Sequence, residues 1–249
     1  LTKVSFLPSL FTIFSLFLGF LALLEILKGR FQNAVFLITG SAILDGFDGT
    51  VARLTKTESN FGVQLDSLVD AVTFGLVTSM MIYRWGFQNT NPPIGKVIAF
   101  IFLSAGVIRL ARFNVMKEAK ADSTNIFIGL PIPLGALSIV SVVLVFKGPL
   151  VDQSHITIFA FYVLLVALLM VSSIRYRTMK KISSKNNLLI LLFLAIVIAI
   201  GINFPTYTIP TLTFLYLLSP VFFFLYYKVR KYKTPTVPIE SMPEEAGET

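Results

Sequence analysis

The sequence predicts an all-α, polytopic membrane helix bundle of about eight transmembrane helices. Three observations predict it. Apolar residues make up 55% of the 249 positions and mean hydropathy is +0.80, well above a soluble domain. These residues fall in long runs, several of them near the ~20 residues that cross ~30 Å of hydrocarbon. The basic residues gather between the runs and favour one side of the alternation. The absence of cysteine excludes a disulfide framework and a zinc–thiolate site. A net charge of +8 fits loops facing anionic lipid; no nucleic-acid motif accompanies it, so no nucleic-acid partner is expected.

The first run, 7–27, opens on Leu7-Pro8-Ser9-Leu10-Phe11-Thr12. It is too long for a cleavable signal, lacks a small-residue cleavage site, and is followed by further spans. Lys28-Gly29-Arg30 makes a loop before the second span, 32–53. A polar break at 54–61, carrying Lys56, Ser59 and Asn60, returns the chain antiparallel into the third, 62–83. Arg84-Trp85 reads as an interfacial anchor ahead of a Pro92-Pro93 loop. The fourth span, 94–113, ends in Arg109-Leu110-Ala111-Arg112-Phe113-Asn114. A polar segment, 117–125, leads to Gly129-Leu130-Pro131-Ile132-Pro133, which opens a fifth span ending near 146. The sixth, seventh and eighth are expected at 156–173, 188–204 and 211–227, with Pro220 kinking the last. The lone histidine, His155, falls in a polar loop and reads as a surface residue. Residues 1–233 thus form one integral-membrane domain, and 234–249, with three prolines and four glutamates, reads as a disordered tail. With the amino terminus inside, 16 of the 21 Lys and Arg residues fall on the inner side.

Four carboxylates break this apolar pattern: Asp45, Asp48, Asp66 and Asp70. A carboxylate at bilayer depth costs about 2.5–3.5 kcal/mol on insertion scales, which makes an intramembrane Asp a functional candidate. On helices, Asp45 and Asp48 share one face, and Asp66 and Asp70 share another. Antiparallel return lets the two faces meet. One arginine, Arg53, does not neutralise four carboxylates. Oxygen ligands converging from two helices suit a hard divalent cation whose remaining positions are open to substrate phosphates. Gly49 and Gly62 leave room for a bulky ligand or a neighbouring helix.

The pattern Asp45-x2-Asp48-Gly49-x2-Ala52-Arg53-x8-Gly62-x3-Asp66-x3-Asp70 resembles, without a departure, the motif of the CDP-alcohol phosphotransferase family. These are integral membrane enzymes that displace CMP from a CDP-linked substrate with an alcohol. The resemblance implies that fold and a metal set of Asp45, Asp48, Asp66 and Asp70 holding one or two Mg2+ or Mn2+ ions. It also implies that Asp70 takes the proton of the incoming alcohol, and that Gly49, Arg53, Ser59, Gly62 and Thr12 contact the CDP-lipid. Ser59 stands where some relatives carry Thr, and Ser9 where the family's amino-terminal motif carries Asn.

The Arg109–Asn114 and Gly129–Pro133 segments resemble the integral-membrane phosphatidylserine synthases within that family. This implies L-serine as the alcohol, with Arg109, Arg112 and Asn114 as its contacts, since an arginine receives a carboxylate by a two-pronged contact. The implied reaction moves the phosphatidyl group of CDP-diacylglycerol or CDP-archaeol to serine, leaving phosphatidylserine and CMP. A homodimer in the cell membrane, active site toward the cytoplasm, is implied as well. A glycerol phosphate or inositol phosphate acceptor on the same fold is the alternative. A transporter is the more distant one; its usual signature is related halves with broken helices, whereas here the charges concentrate in one hairpin.

Overall fold

The computed structural model describes residues 6–54, 60–118, 126–146, 148–177 and 203–231. Helix α1 (Phe6–Leu27) turns back through Gly29 into α2 (Phe31–Leu54). Helix α3 runs unbroken from Asn60 to Phe87 in four pieces: α-helical Asn60–Asp70, π-helical Ala71–Val77, α-helical Thr78–Met81 and π-helical Ile82–Phe87. Helices α4 (Pro92–Glu118), α5 (Ile132–Phe146), α6 (Gln153–Val171) and α7 (Pro205–Lys231) follow. Among the described residues, four helical segments are long and apolar enough to cross a membrane: Leu10–Leu27, Phe61–Phe87, Pro92–Met116 and Gln153–Val171. Helix α5 is a shorter apolar helix, and α2, though 24 residues long, carries the Asp45–Arg53 half of the motif. The chain is therefore a helical membrane protein. The expected seventh span falls largely on 178–202 and the tail on 232–249, both outside the described residues, as is Ser59.

One feature departs from pure helix. Strands β1 (Ile126–Ile128) and β2 (Arg175–Arg177) pair antiparallel, Ile126 opposite Arg177 and Ile128 opposite Arg175. The ribbon ties the segment before α5 to the end of α6. Gly129 continues it: its N–H donates to the Ile174 carbonyl at 2.8 Å, and its φ is +79°. Glycine alone adopts that angle at no steric cost, and a Cβ here would also collide with the Met170 carbonyl oxygen.

Small and hydroxylic residues draw the helices together near the motif. A Cβ on Gly19 would lie 2.6 Å from Thr73 Oγ1, so α1 and α3 cross closely, as small residues permit in membranes. Ser15 Oγ and Ser41 Oγ, both buried, lie 2.6 Å apart and bolt α1 to α2 one turn from Asp45. At the opposite end the core is aromatic. Trp85 is 1% exposed, packed edge-on against Phe159 at 5.1 Å and Phe146 at 6.3 Å. The interfacial role expected for Trp85 does not hold, because α6 and the end of α5 cover it. Arg84 instead donates from Nη2 to the Leu27 carbonyl at 2.8 Å, tying α3 to the end of α1. His155 lies at the surface as expected, beside Asp152, whose carboxylate accepts from the Ser154 and His155 N–H groups and caps α6.

Candidate active site

Three of the four carboxylates meet among the described residues. Asp45 comes from α2 and Asp66 and Asp70 from the first turns of α3, and one ligand oxygen of each lies within 4.8 Å of the others. Asp70 is 7% exposed, and its Oδ1 is buried without a hydrogen-bond partner. Asp45 and Asp66 are the like charges acting on it, and the Arg109 guanidinium is the opposing one. Such crowding is unfavourable for bare carboxylates and becomes favourable around a cation. Donors held 2.0–2.6 Å from a hard ion stand about 3–5 Å apart, the separation found here. The donor set, all oxygen, and the unpartnered Asp70 oxygen both fit a divalent ion of the magnesium or manganese type.

The neighbours on α2 are placed by backbone alone. Asp48, Gly49 and Arg53 ride on the same helix as Asp45, with Asp48 one turn on; where the Asp48 and Arg53 side chains go lies outside the described residues. Gly62 lies in the first turn of α3, one turn before Asp66. Thr12, 5% exposed, lies one turn from Ser15 and so next to the hydroxyl bolt between α1 and α2.

Helix α4 supplies the other wall. Arg109 is 6% exposed, sits with its Cζ 5.4 Å from the centre of the Phe113 ring, and keeps its Nε without a hydrogen-bond partner. Arg112, on the next turn, has a different duty: Nη1 donates to the Val171 carbonyl at 2.9 Å and Nη2 to the Ser172 carbonyl at 3.0 Å. It holds the carbonyl end of α6, where a cation is favoured by the helix dipole. Asn114 pairs with Ser67 across the gap to α3.

Two residues near the site have no motif in the sequence. Ser67 hides between two aspartates, where its neighbours dominate the reading. Tyr216 lies on α7, a helix with no motif, yet its phenol is close enough to act electrostatically on Arg109. Only a contact between helices distant in sequence reveals either.

Comparison with known proteins agrees with this geometry. The sequence profile of CDP-alcohol phosphatidyltransferase matches residues 5–172, from α1 to the end of α6. The chain is similar to the CDP-diacylglycerol–serine O-phosphatidyltransferase of Helicobacter pylori, 39% identical over 193 residues that cover 76% of this chain and 80% of that protein. It is also similar to proteins of the same name from Methanocaldococcus jannaschii (35% identical, covering 63% of this chain and 71% of that one) and Bacillus subtilis (35%, covering 55% and 75%). The matched region contains the whole run from Asp45 to Asp70 and both later segments. An oxygen-only cradle between two membrane helices, with a buried arginine on the facing wall, suits the cleavage of a diphosphate held by a cation, and the chain belongs to the CDP-alcohol phosphatidyltransferase family.

Proposed function

We propose that the chain is a CDP-diacylglycerol–serine O-phosphatidyltransferase, moving the phosphatidyl group of CDP-diacylglycerol, or of its ether-lipid analogue CDP-archaeol, to the hydroxyl of L-serine. The observation that carries this reading is the convergence of Asp45, Asp66 and Asp70 within 4.8 Å beside the buried Arg109. Relatives at 35–39% identity from two bacteria and an archaeon, each a CDP-diacylglycerol–serine O-phosphatidyltransferase by name, support serine as the acceptor.

The donor brings about two negative charges to a site already crowded with carboxylates, so Asp45, Asp48, Asp66 and Asp70 are assigned as ligands of one or two Mg2+ or Mn2+ ions. Bound there, the metal would neutralise the diphosphate and polarise its phosphorus–oxygen bonds. The chain's own groups supply the rest. The serine oxygen forms a bond to the lipid-side phosphorus as the bond from that phosphorus to the CMP oxygen breaks, and CMP carries away the electron pair. The serine proton passes to the Asp70 carboxylate; a hydroxyl with a pKa far above 7 needs such a base within hydrogen-bond reach. Arg53 on α2, with Gly49, Ser59, Gly62 and Thr12, is assigned to the CDP-lipid. Arg109 is assigned to the serine carboxylate, since a guanidinium matches a carboxylate with two parallel bonds. Arg112 is spent on the α6 carbonyls, so among the described residues a phosphorylated acceptor would meet one guanidinium rather than two. That weighs against glycerol phosphate and inositol phosphate. The family's homodimer and a cell-membrane setting with the site on the cytoplasmic side, where positive charge is in excess, complete the reading.

The experiment offers the purified protein CDP-diacylglycerol, Mg2+ or Mn2+, and serine, glycerol phosphate or inositol phosphate in turn. Metal-dependent CMP release with serine is expected. Release only with a phosphorylated acceptor would reassign the alcohol, and no release with any would remove the enzyme reading.

A further inference from the structure

One polar pair among the described residues bridges the helices that carry Asp70 and Arg109. Asn114 Nδ2 donates to Ser67 Oγ at 3.0 Å, and Ser67 Oγ donates to Asn114 Oδ1 at 3.1 Å. Both side chains are partly exposed, unlike Asp70 and Arg109. Ser67 precedes Asp70 by three residues, which puts it about 4.5 Å away along the helix axis and about 60° round it. The pair is electrically neutral, between the helices that carry the charged Asp70 and Arg109.

We propose that Ser67 and Asn114 select the acceptor by receiving the ammonium group of the amino alcohol. This rests on serine being the acceptor. Serine presents three groups on adjoining carbons, and three partners stand ready on α3 and α4: Asp70 for the hydroxyl, Arg109 for the carboxylate, and the pair for the ammonium. The inventory of lone pairs allows it. With Asn114 donating to Ser67, the hydroxyl oxygen keeps a free lone pair and the amide oxygen keeps its own, so both accept from an ammonium without breaking their mutual bond. The same lone pairs repel a phosphate oxygen, which makes the pair selective as well as attractive.

The test uses the purified full chain with CDP-diacylglycerol and Mg2+ or Mn2+. The probes are serine, read as KM, and 3-hydroxypropanoate, which is serine without its amino group, read as a competitive inhibitor. Ser67→Ala and Asn114→Ala should each raise the KM for serine about tenfold or more, the loss of a hydrogen bond to a charged group. Inhibition by 3-hydroxypropanoate should stay within about twofold of the unsubstituted protein, because neither group it retains meets the pair. Ser67→Thr, which keeps the hydroxyl, should restore the serine KM. Should Ser67→Ala not assemble, Ser67→Cys keeps the shape, weakens the acceptor, and should show the same split in smaller measure.

Equal weakening of serine and 3-hydroxypropanoate would overturn the proposal and leave the pair as a strut between α3 and α4. So would an unchanged serine KM in these variants, which would leave the function reading intact. Failure of the unsubstituted protein to use serine would overturn both.

Discussion

At the end of the bundle where Arg84 reaches the Leu27 carbonyl, Trp85, Phe87, Phe146 and Phe159 close the core with rings 5.1–6.3 Å apart. At the other end, Asp45, Asp66 and Asp70 crowd together, and Asp70 Oδ1 and Arg109 Nε lie buried without hydrogen-bond partners. Trp85 Nε1 and Arg84 Nε are buried without hydrogen-bond partners at the first end too. What sets the second end apart is the gathering of three carboxylates beside a buried guanidinium. In a membrane, helix association rests on close packing rather than on the hydrophobic effect, so the aromatic end holds the bundle while the acidic end bears the cost of function. The difference teaches that clustered like charges, rather than an unpartnered buried atom by itself, single out the candidate site.

This contrast is open to attack from both sides. The largest effect should come from the acidic end. Asp70→Asn should lower CMP release about 10²–10⁴-fold, the range for loss of a general base, while the variant's unfolding midpoint in a chelator is no lower than that of the unsubstituted protein. A drop in that midpoint would mean that Asp70 holds the fold. Removing divalent ions with EDTA should abolish turnover, and added Mg2+ or Mn2+ should restore it; turnover that persists in chelator would remove the metal from the account.

The aromatic end should respond in the opposite sense. Phe159→Ala deletes the ring that packs on both Trp85 and Phe87, and should destabilise the protein by about 3–5 kcal/mol. Its KM for serine, measured well below the unfolding midpoint, should stay within about twofold of the unsubstituted value, since distant sites act independently. Gly129→Ala tests the junction between the ends of α4, α5 and α6. The forced φ and the clash with the Met170 carbonyl should cost about 1–3 kcal/mol, read as a lower midpoint in a thermal melt. The smallest effect belongs to His155→Ala, at an exposed cap of α6: less than about 0.5 kcal/mol in stability and no change in CMP release.

Much of the site was legible because its grammar is local. Asp45 with Asp48, and Asp66 with Asp70, stand on common faces by helix periodicity alone, and the short polar break says that the faces return toward each other. Trp85 was misread for the complementary reason. An Arg-Trp pair at the end of an apolar run looks like a lipid-interface anchor until α6 is known to cover it. The ribbon between 126–128 and 175–177 was equally out of reach, because strands of three residues have too few positions to show an alternation. The resemblance assigned both Arg109 and Arg112 to serine, but the end of α6 engages Arg112, while Arg109 lies beside the carboxylates.

The sequence by itself determined the membrane class, most of the helices and the helical spacing of the aspartates, because hydropathy runs and helical spacing are properties of neighbouring residues. Only the tertiary structure decided which helices share walls. Ser67 meets Asn114 across 47 positions, Arg112 meets Val171 across 59, and Tyr216 reaches Arg109 from α7. Such partners are chosen by packing between helices, where small residues such as Gly19 set how close two backbones come, and no local pattern encodes that choice.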